Sequence, residues 1–195
     1  GIKEKAKDRK DILTGSIEKS ISSNQGVAEM HSIVFSEITI PWEPDLMEKW
    51  MKEFYAKWMS IPYKKDRKEY KEHPENFGTS MLGIDEDEFD HLNQTLDMPV
   101  SKNDFLAGKV CIVYRNGVEL ADKDLIGKTV TCTLYRNLKK SKSFTVSGVT
   151  DDSYYTALLG YPPTLIVSDQ VVKAFDAKAF ILKTGIRYKK EYARR

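Results

Sequence analysis

The sequence predicts an α+β fold with two lobes. Three observations predict it. Helix-like segments stand near both ends of the chain, and strands lie beside them. The middle, from residue 110 to 150, is rich in strands. The chain shows no internal repeat, and its 195 residues suffice for one substantial core or two small lobes that share one. The expected division assigns 1–84 and 162–195 to one α/β lobe, with a helical insertion at 41–76. Residues 85–161 then form a strand-rich second lobe.

Residues 3–25 read as a helix, because Leu13, Ile17 and Ile21 recur every fourth position. Ser22-Ser23-Asn24-Gln25-Gly26 stops it. Ile33 to Ile40 has strand character and ends at Pro41. Pro44 suits a first helical turn. Behind it, Leu46, Met47, Trp50, Met51, Phe54, Tyr55, Trp58 and Met59 make a broad apolar band, which Ile61-Pro62 closes. A charged second helix is expected from Lys64 to Glu72, closed by Pro74.

Phe77 to Ile84 reads as a strand. Asp85 caps the next helix, with Glu88 as its capping-box partner and Phe89, Leu92 and Leu96 on its buried side. A loop or short helical turn covers Asp97 to Lys109. Strands follow at Val110–Tyr114, Thr129–Tyr135 and Ser143–Val149, with Asn116-Gly117 as a strong turn signal. Thr164 to Val167 is an apolar strand, Ser168 caps a short helix to Phe175, and Phe180 to Tyr188 is the last strand.

The composition narrows the function. Thirty-one basic and 29 acidic residues give a formal charge of +2, which argues against bulk attraction to nucleic acid. No run of about 18 apolar residues occurs, and Gly1-Ile2-Lys3-Glu4-Lys5 leads into charge rather than a signal-peptide core. Six basic residues face one acid between Lys183 and Arg195. They suit phosphate, as in lipid headgroups, or a solvated helix end. Cys111 and Cys132 lie in separate strands, as a bridge between neighbours or as two buried thiols.

No catalytic, cofactor-binding or metal-ligating set stands out. His31, His73 and His91 have no second ligand at metal spacing, and Asp85, Asp87 and Asp90 lack the glycine and glutamate of a calcium loop. There is no nucleophile elbow and no glycine-rich phosphate loop. The candidates for contact with a partner are Trp50, Phe54 and Trp58 of the aromatic helix, and Tyr154, Tyr155 and Tyr161. Each group is equally a candidate for packing within the fold.

One ordered series is more specific. Ser80-Met81-Leu82-Gly83-Ile84-Asp85-Glu86-Asp87-Glu88-Phe89 is followed by Gly108-Lys109-Val110, Gly127-Lys128-Thr129-Val130 and Phe144-Thr145-Val146-Ser147-Gly148-Val149. Asp151-Asp152-Ser153-Tyr154-Tyr155 and Pro163-Thr164-Leu165-Ile166-Val167-Ser168 continue it. Across roughly 77–188, the series resembles the extracytoplasmic domain of FtsX-like and MacB-like ABC transporter permeases of Gram-positive type. That resemblance implies a porter-like α/β lobe joined to a strand-rich lobe. The domain would stand on the extracellular face of the cell membrane, between two transmembrane helices. It would be non-catalytic and free of cofactors. Its partners would be its own membrane helices, a cytoplasmic ABC ATPase, and a second permease copy or an extracellular protein. Anionic lipid headgroups would lie near the basic termini. The segment 41–76 departs from the family pattern. The alternative reading is a soluble protein-binding or scaffold module.

Overall fold

The computed structural model describes residues 19–21, 23–39, 42–60, 62–63, 72–73, 76–157 and 163–189. Seven strands form one mixed sheet: β1 (Val27–Thr39), β2 (Gly78–Ile84), β3 (Val110–Tyr114), β4 (Thr129–Leu134), β5 (Asn137–Thr150), β6 (Thr164–Ser168) and β7 (Phe180–Tyr188). Among the described residues, α1 (Pro44–Phe54), α2 (Glu86–Asn93), α3 (Lys102–Leu106) and α4 (Asp169–Phe175) accompany it.

The strand order is β2-β6-β3-β5-β4-β1-β7, and β1 pairs with β2 as well. The long first strand therefore has two halves with different neighbours. Residues 34–39 run antiparallel to β2, while 27–35 run antiparallel to β7. At its far end Ile38 meets Leu134 of β4, and the Tyr135 amide donates to the Glu37 carbonyl at 3.1 Å. The sheet thus curls until β1 touches both β2 and β4. Two parallel pairs, β2 with β6 and β3 with β5, lie inside this antiparallel frame.

Apolar side chains leave both faces of the strands. On one face Val34, Ile38, Met81, Cys111, Val113, Phe144 and Leu165 pack with Trp42, Met47, Trp50 and Met51 from in and around α1. On the other, Ile33, Phe35, Leu82, Ile84, Ile112 and Ile166 pack with Phe89 and Leu92 of α2 and Phe105 of α3. Strand β6 is buried at every position, as expected for a strand covered on both faces. At Gly83 an added Cβ would stand 2.7 Å from the Asp169 Cα, so the glycine lets the start of α4 lie against β2.

The sheet crosses the expected lobe boundaries. Strands from 85–161 sit between strands from the two flanking segments, and both apolar clusters draw on all three. The mixed α/β content matches the expected class. Strand β3 pairs with β6, and β4 touches β1.

Other expectations meet particular physical reasons. The part of the first helix within the described residues, 19–21, is helical; the rest of it, and most of the expected charged helix at 64–72, lie outside them. The aromatic helix runs to Phe54, continues as a π-turn over Tyr55–Met59, and stops at Ser60, whose φ of 53° is left-handed. Asp85 caps α2 by accepting from the Glu88 amide at 2.8 Å. The Glu88 carboxylate, however, accepts from the Tyr155 hydroxyl at 2.7 Å, so the box is drawn outward by a tertiary partner. Ser168 precedes α4 without a capping bond from its side chain. The cysteines are free and buried. Strand β5 lies between theirs, and their partners on it, Val146 and Lys142, are four residues apart, so their Cα atoms stand at least two strand spacings, about 9–10 Å, apart. That is beyond disulfide reach.

Candidate functional site

Residues 29, 31, 33 and 35 of β1 share a face by the two-residue period of a strand. The inner two, Ile33 and Phe35, join the apolar cluster. The outer two, Glu29 and His31, reach past its edge into a polar group formed with α2. There the His31 Nδ1 stands 3.2 Å from both carboxylate oxygens of Asp85, and its Nε2 stands 3.4 Å from the Glu29 Oε2. The His91 ring, one turn from the end of α2, meets the His31 ring edge-on at 6.0 Å between centroids.

Strand β7 and the segment after β5 complete the wall. Gly185 pairs with His31, and the absence of a side chain there admits the Tyr154 hydroxyl, which would lie 2.8 Å from a Cβ. Asp152 caps the turn Ser153–Tyr155 by accepting from the Tyr154 amide at 2.8 Å. The Lys183 ammonium donates to the Tyr154 carbonyl and lies 4.5 Å from the centre of its ring. Tyr154 and Tyr155 contact edge-to-face at 5.3 Å.

The charges respond to this setting. Burial alone would lower the His31 pKa, but its bonds to Asp85 and Glu29 outweigh that and hold it above the usual imidazole value. Burial lowers Lys183 despite the nearby Asp152 and Glu88. Burial raises Tyr155, and its bond to the Glu88 carboxylate adds to the effect.

The expected partner residues separate by burial. Trp50 is 0% exposed and stacks obliquely on Trp42 at 5.4 Å; Phe54 and Tyr155 are buried too. Their side chains pack within the fold. Trp58 is 58% exposed and Tyr154 half-buried; Tyr161 lies outside the described residues. The Trp58 Nε1 donates to the Asn116 carbonyl at 3.2 Å, so the π-turn leans on the Asn116-Gly117 turn. Beside it, Lys57, Arg115, Glu119 and Asp151 line an open cleft of about 450 Å³. Arg115 braces that cleft by donating to both Asp151 oxygens, to Asp122 and to the Leu120 carbonyl.

One arrangement that could hold an ion was not singled out from the sequence. Glu29, His31 and His91 each bring a ligating atom within 4.8 Å of the others. The Glu-x-His spacing on a strand was a visible signal, since it puts both side chains on one face. The third member lies sixty residues away and reaches them only through the packing of α2.

No protein-family model and no curated protein matches the chain. Two solved transporter domains resemble it. One is the extracellular domain of the noncanonic ABC-type transporter YknZ from Gram-positive bacteria, with a TM-score of 0.46 and 14% identity over 91% of this chain and 74% of that one. The other is the periplasmic region of MacB from Actinobacillus actinomycetemcomitans, with a TM-score of 0.48 and 12% identity over 98% of this chain and 73% of that one. Among the described residues no helix is long and apolar enough to cross a membrane.

Proposed function

We propose that this chain is the extracytoplasmic domain of an FtsX-like, MacB-like ABC transporter permease. In this reading it is held between two transmembrane helices and transmits motion driven by a cytoplasmic ATPase. The observation that carries the reading is the meeting of the two ends of the fold. Val27 at the start of β1 pairs with Tyr188 at the end of β7, and the Lys189 amide donates to the Gly26 carbonyl at 2.9 Å. Chain entering and chain leaving the fold therefore share one point of attachment. That arrangement suits a domain suspended from two adjacent membrane helices, whose relative movement would act first on the β1–β7 ribbon.

The ordered motif series supports the same reading, because its residues hold structural posts. Gly83 admits α4, Asp85 caps α2, and the Phe144–Val149 run forms the part of β5 that pairs with β3 and β4. Lys189, Lys190, Arg194 and Arg195 follow the point of attachment in sequence, where anionic headgroups would attract them. The domain itself is non-catalytic in this reading. An extracellular partner would meet the exposed Trp58 and the cleft beside it. The test is to express the full-length protein with its flanking segments and purify it in detergent from membranes. Copurification of an ABC ATPase is expected. Recovery from the soluble fraction without an ATPase would overturn the proposal and favour a soluble binding module.

A further inference from the structure

We propose that Glu29, His31 and His91 form a binding site for a borderline divalent transition-metal ion such as zinc, which clamps strand β1 to helix α2. The ligating atoms of all three already lie within 4.8 Å of one another. A tetrahedral ion bound at about 2.0–2.1 Å holds its ligands about 3.3–3.4 Å apart. The His31 Nε2 and the Glu29 Oε2 stand 3.4 Å apart and so already fit one edge of that tetrahedron. His91 closes the remaining gap by side-chain rotation, because its ring is only partly buried.

The surroundings fit an ion as well. Asp85 takes the Nδ1 of His31 through both carboxylate oxygens, which leaves Nε2 to ligate and orients the ring. A carboxylate behind a ligating histidine is the usual outer support of such sites. His31 is buried while Glu29 is exposed, so the site has a fixed inner wall and an open outer side. Two imidazoles and one carboxylate supply nitrogen and oxygen donors, a set that suits zinc and its neighbours better than magnesium or calcium. Three protein ligands leave a fourth position for water.

The clamp has a consequence for the fold. Glu29 and His31 belong to the half of β1 that pairs with β7, next to the point where the chain enters and leaves. His91 belongs to α2, whose Phe89 and Leu92 are rooted in the core. A bound ion would join the terminal ribbon to the body of the domain.

The test uses the 195-residue chain after removal of metal with a chelator, at about pH 8, above the ordinary imidazole range. Zinc is titrated by calorimetry, and thermal melting is followed with and without it. The expected result is one zinc ion bound per chain and a melting temperature raised by zinc but not by magnesium. His91→Ala should melt like the parent without metal and bind zinc at least about tenfold more weakly. Asp85→Asn retains a capping side chain and should weaken zinc by about 10–100-fold. Cobalt should give the visible absorption of a tetrahedral site in the parent and not in His91→Ala. No zinc-dependent shift, or equal zinc affinity in the parent and His91→Ala, would overturn the proposal.

Discussion

Replacing Trp50 tests whether the aromatic helix is part of the core. The side chain is 0% exposed, packs on Trp42, and sits among Leu46, Met47 and Met51. Truncating a buried tryptophan to alanine costs about 3–5 kcal/mol. One feature of the site reduces that cost. The Trp50 Nε1 is buried with no acceptor among the described residues, a burden of about 1–3 kcal/mol that truncation removes. With that burden taken at its lower bound of about 1 kcal/mol, Trp50→Ala should lose about 2–4 kcal/mol, which lowers the melting temperature of a chain this size by about 4–16 °C. Trp50→Phe keeps most of the ring contact and sheds the unpaired N–H. Its lost packing, on the order of 2 kcal/mol, is offset by that relief, so it should melt within about 4 °C of the parent. Thermal melts followed by far-ultraviolet circular dichroism read both variants. A Trp50→Ala protein that melts with the parent would refute the packing of α1. A Trp50→Phe protein as unstable as Trp50→Ala would show that the indole N–H has a partner.

Three further outcomes follow from close contacts elsewhere. Gly83→Ala places a Cβ 2.7 Å from the Asp169 Cα and 2.9 Å from the Val172 Cγ2, so α4 must shift; chemical denaturation should show a loss of about 1–3 kcal/mol, and an unchanged midpoint would contradict that contact. Burial pushes the Cys132 thiol up to about 12 and Cys111 higher still, so a thiol reagent at about pH 8 should label neither in the folded chain and both in denaturant. Rapid labelling of the native protein would contradict their burial. Arg115→Lys keeps the charge but cannot grip Asp151, Asp122 and the Leu120 carbonyl together, and should cost about 1 kcal/mol because the network is partly solvated. A variant as stable as the parent, melted at low salt, would show that the network does not brace the turn.

The elements were legible in the sequence because each rests on local chemistry. Asp85 caps α2 as its position before an apolar helix requires, and Asn116 and Gly117 take positive φ in the turn they announced. The apolar run at 164–167 became the strand buried at every position. The arrangement of elements was not legible, because it depends on pairings between distant residues. Nothing in Val110–Tyr114 or Thr129–Leu134 states that β5 runs between them, and that single fact keeps Cys111 from Cys132. Likewise, the apolar band of α1 was visible, yet its individual exposures depend on where the π-turn begins. Trp50 faces inward before it, and Trp58 is left outside within it. The histidine pair was hidden for the same reason, since α2 carries His91 to β1 only after the sheet has formed.

A domain that stands outside the membrane on a permease, as proposed, is open to reagents that cannot enter the cell. Lys139 lies exposed at the start of β5, and Cys111 and Cys132 are buried, so Lys139→Cys adds one accessible thiol to the full-length protein. Whole cells expressing it are treated with a membrane-impermeant maleimide, with the parent protein as the blank. Labelling of intact cells at the level reached after lysis is the result expected of an extracellular domain. Labelling that appears only after lysis would contradict the proposal.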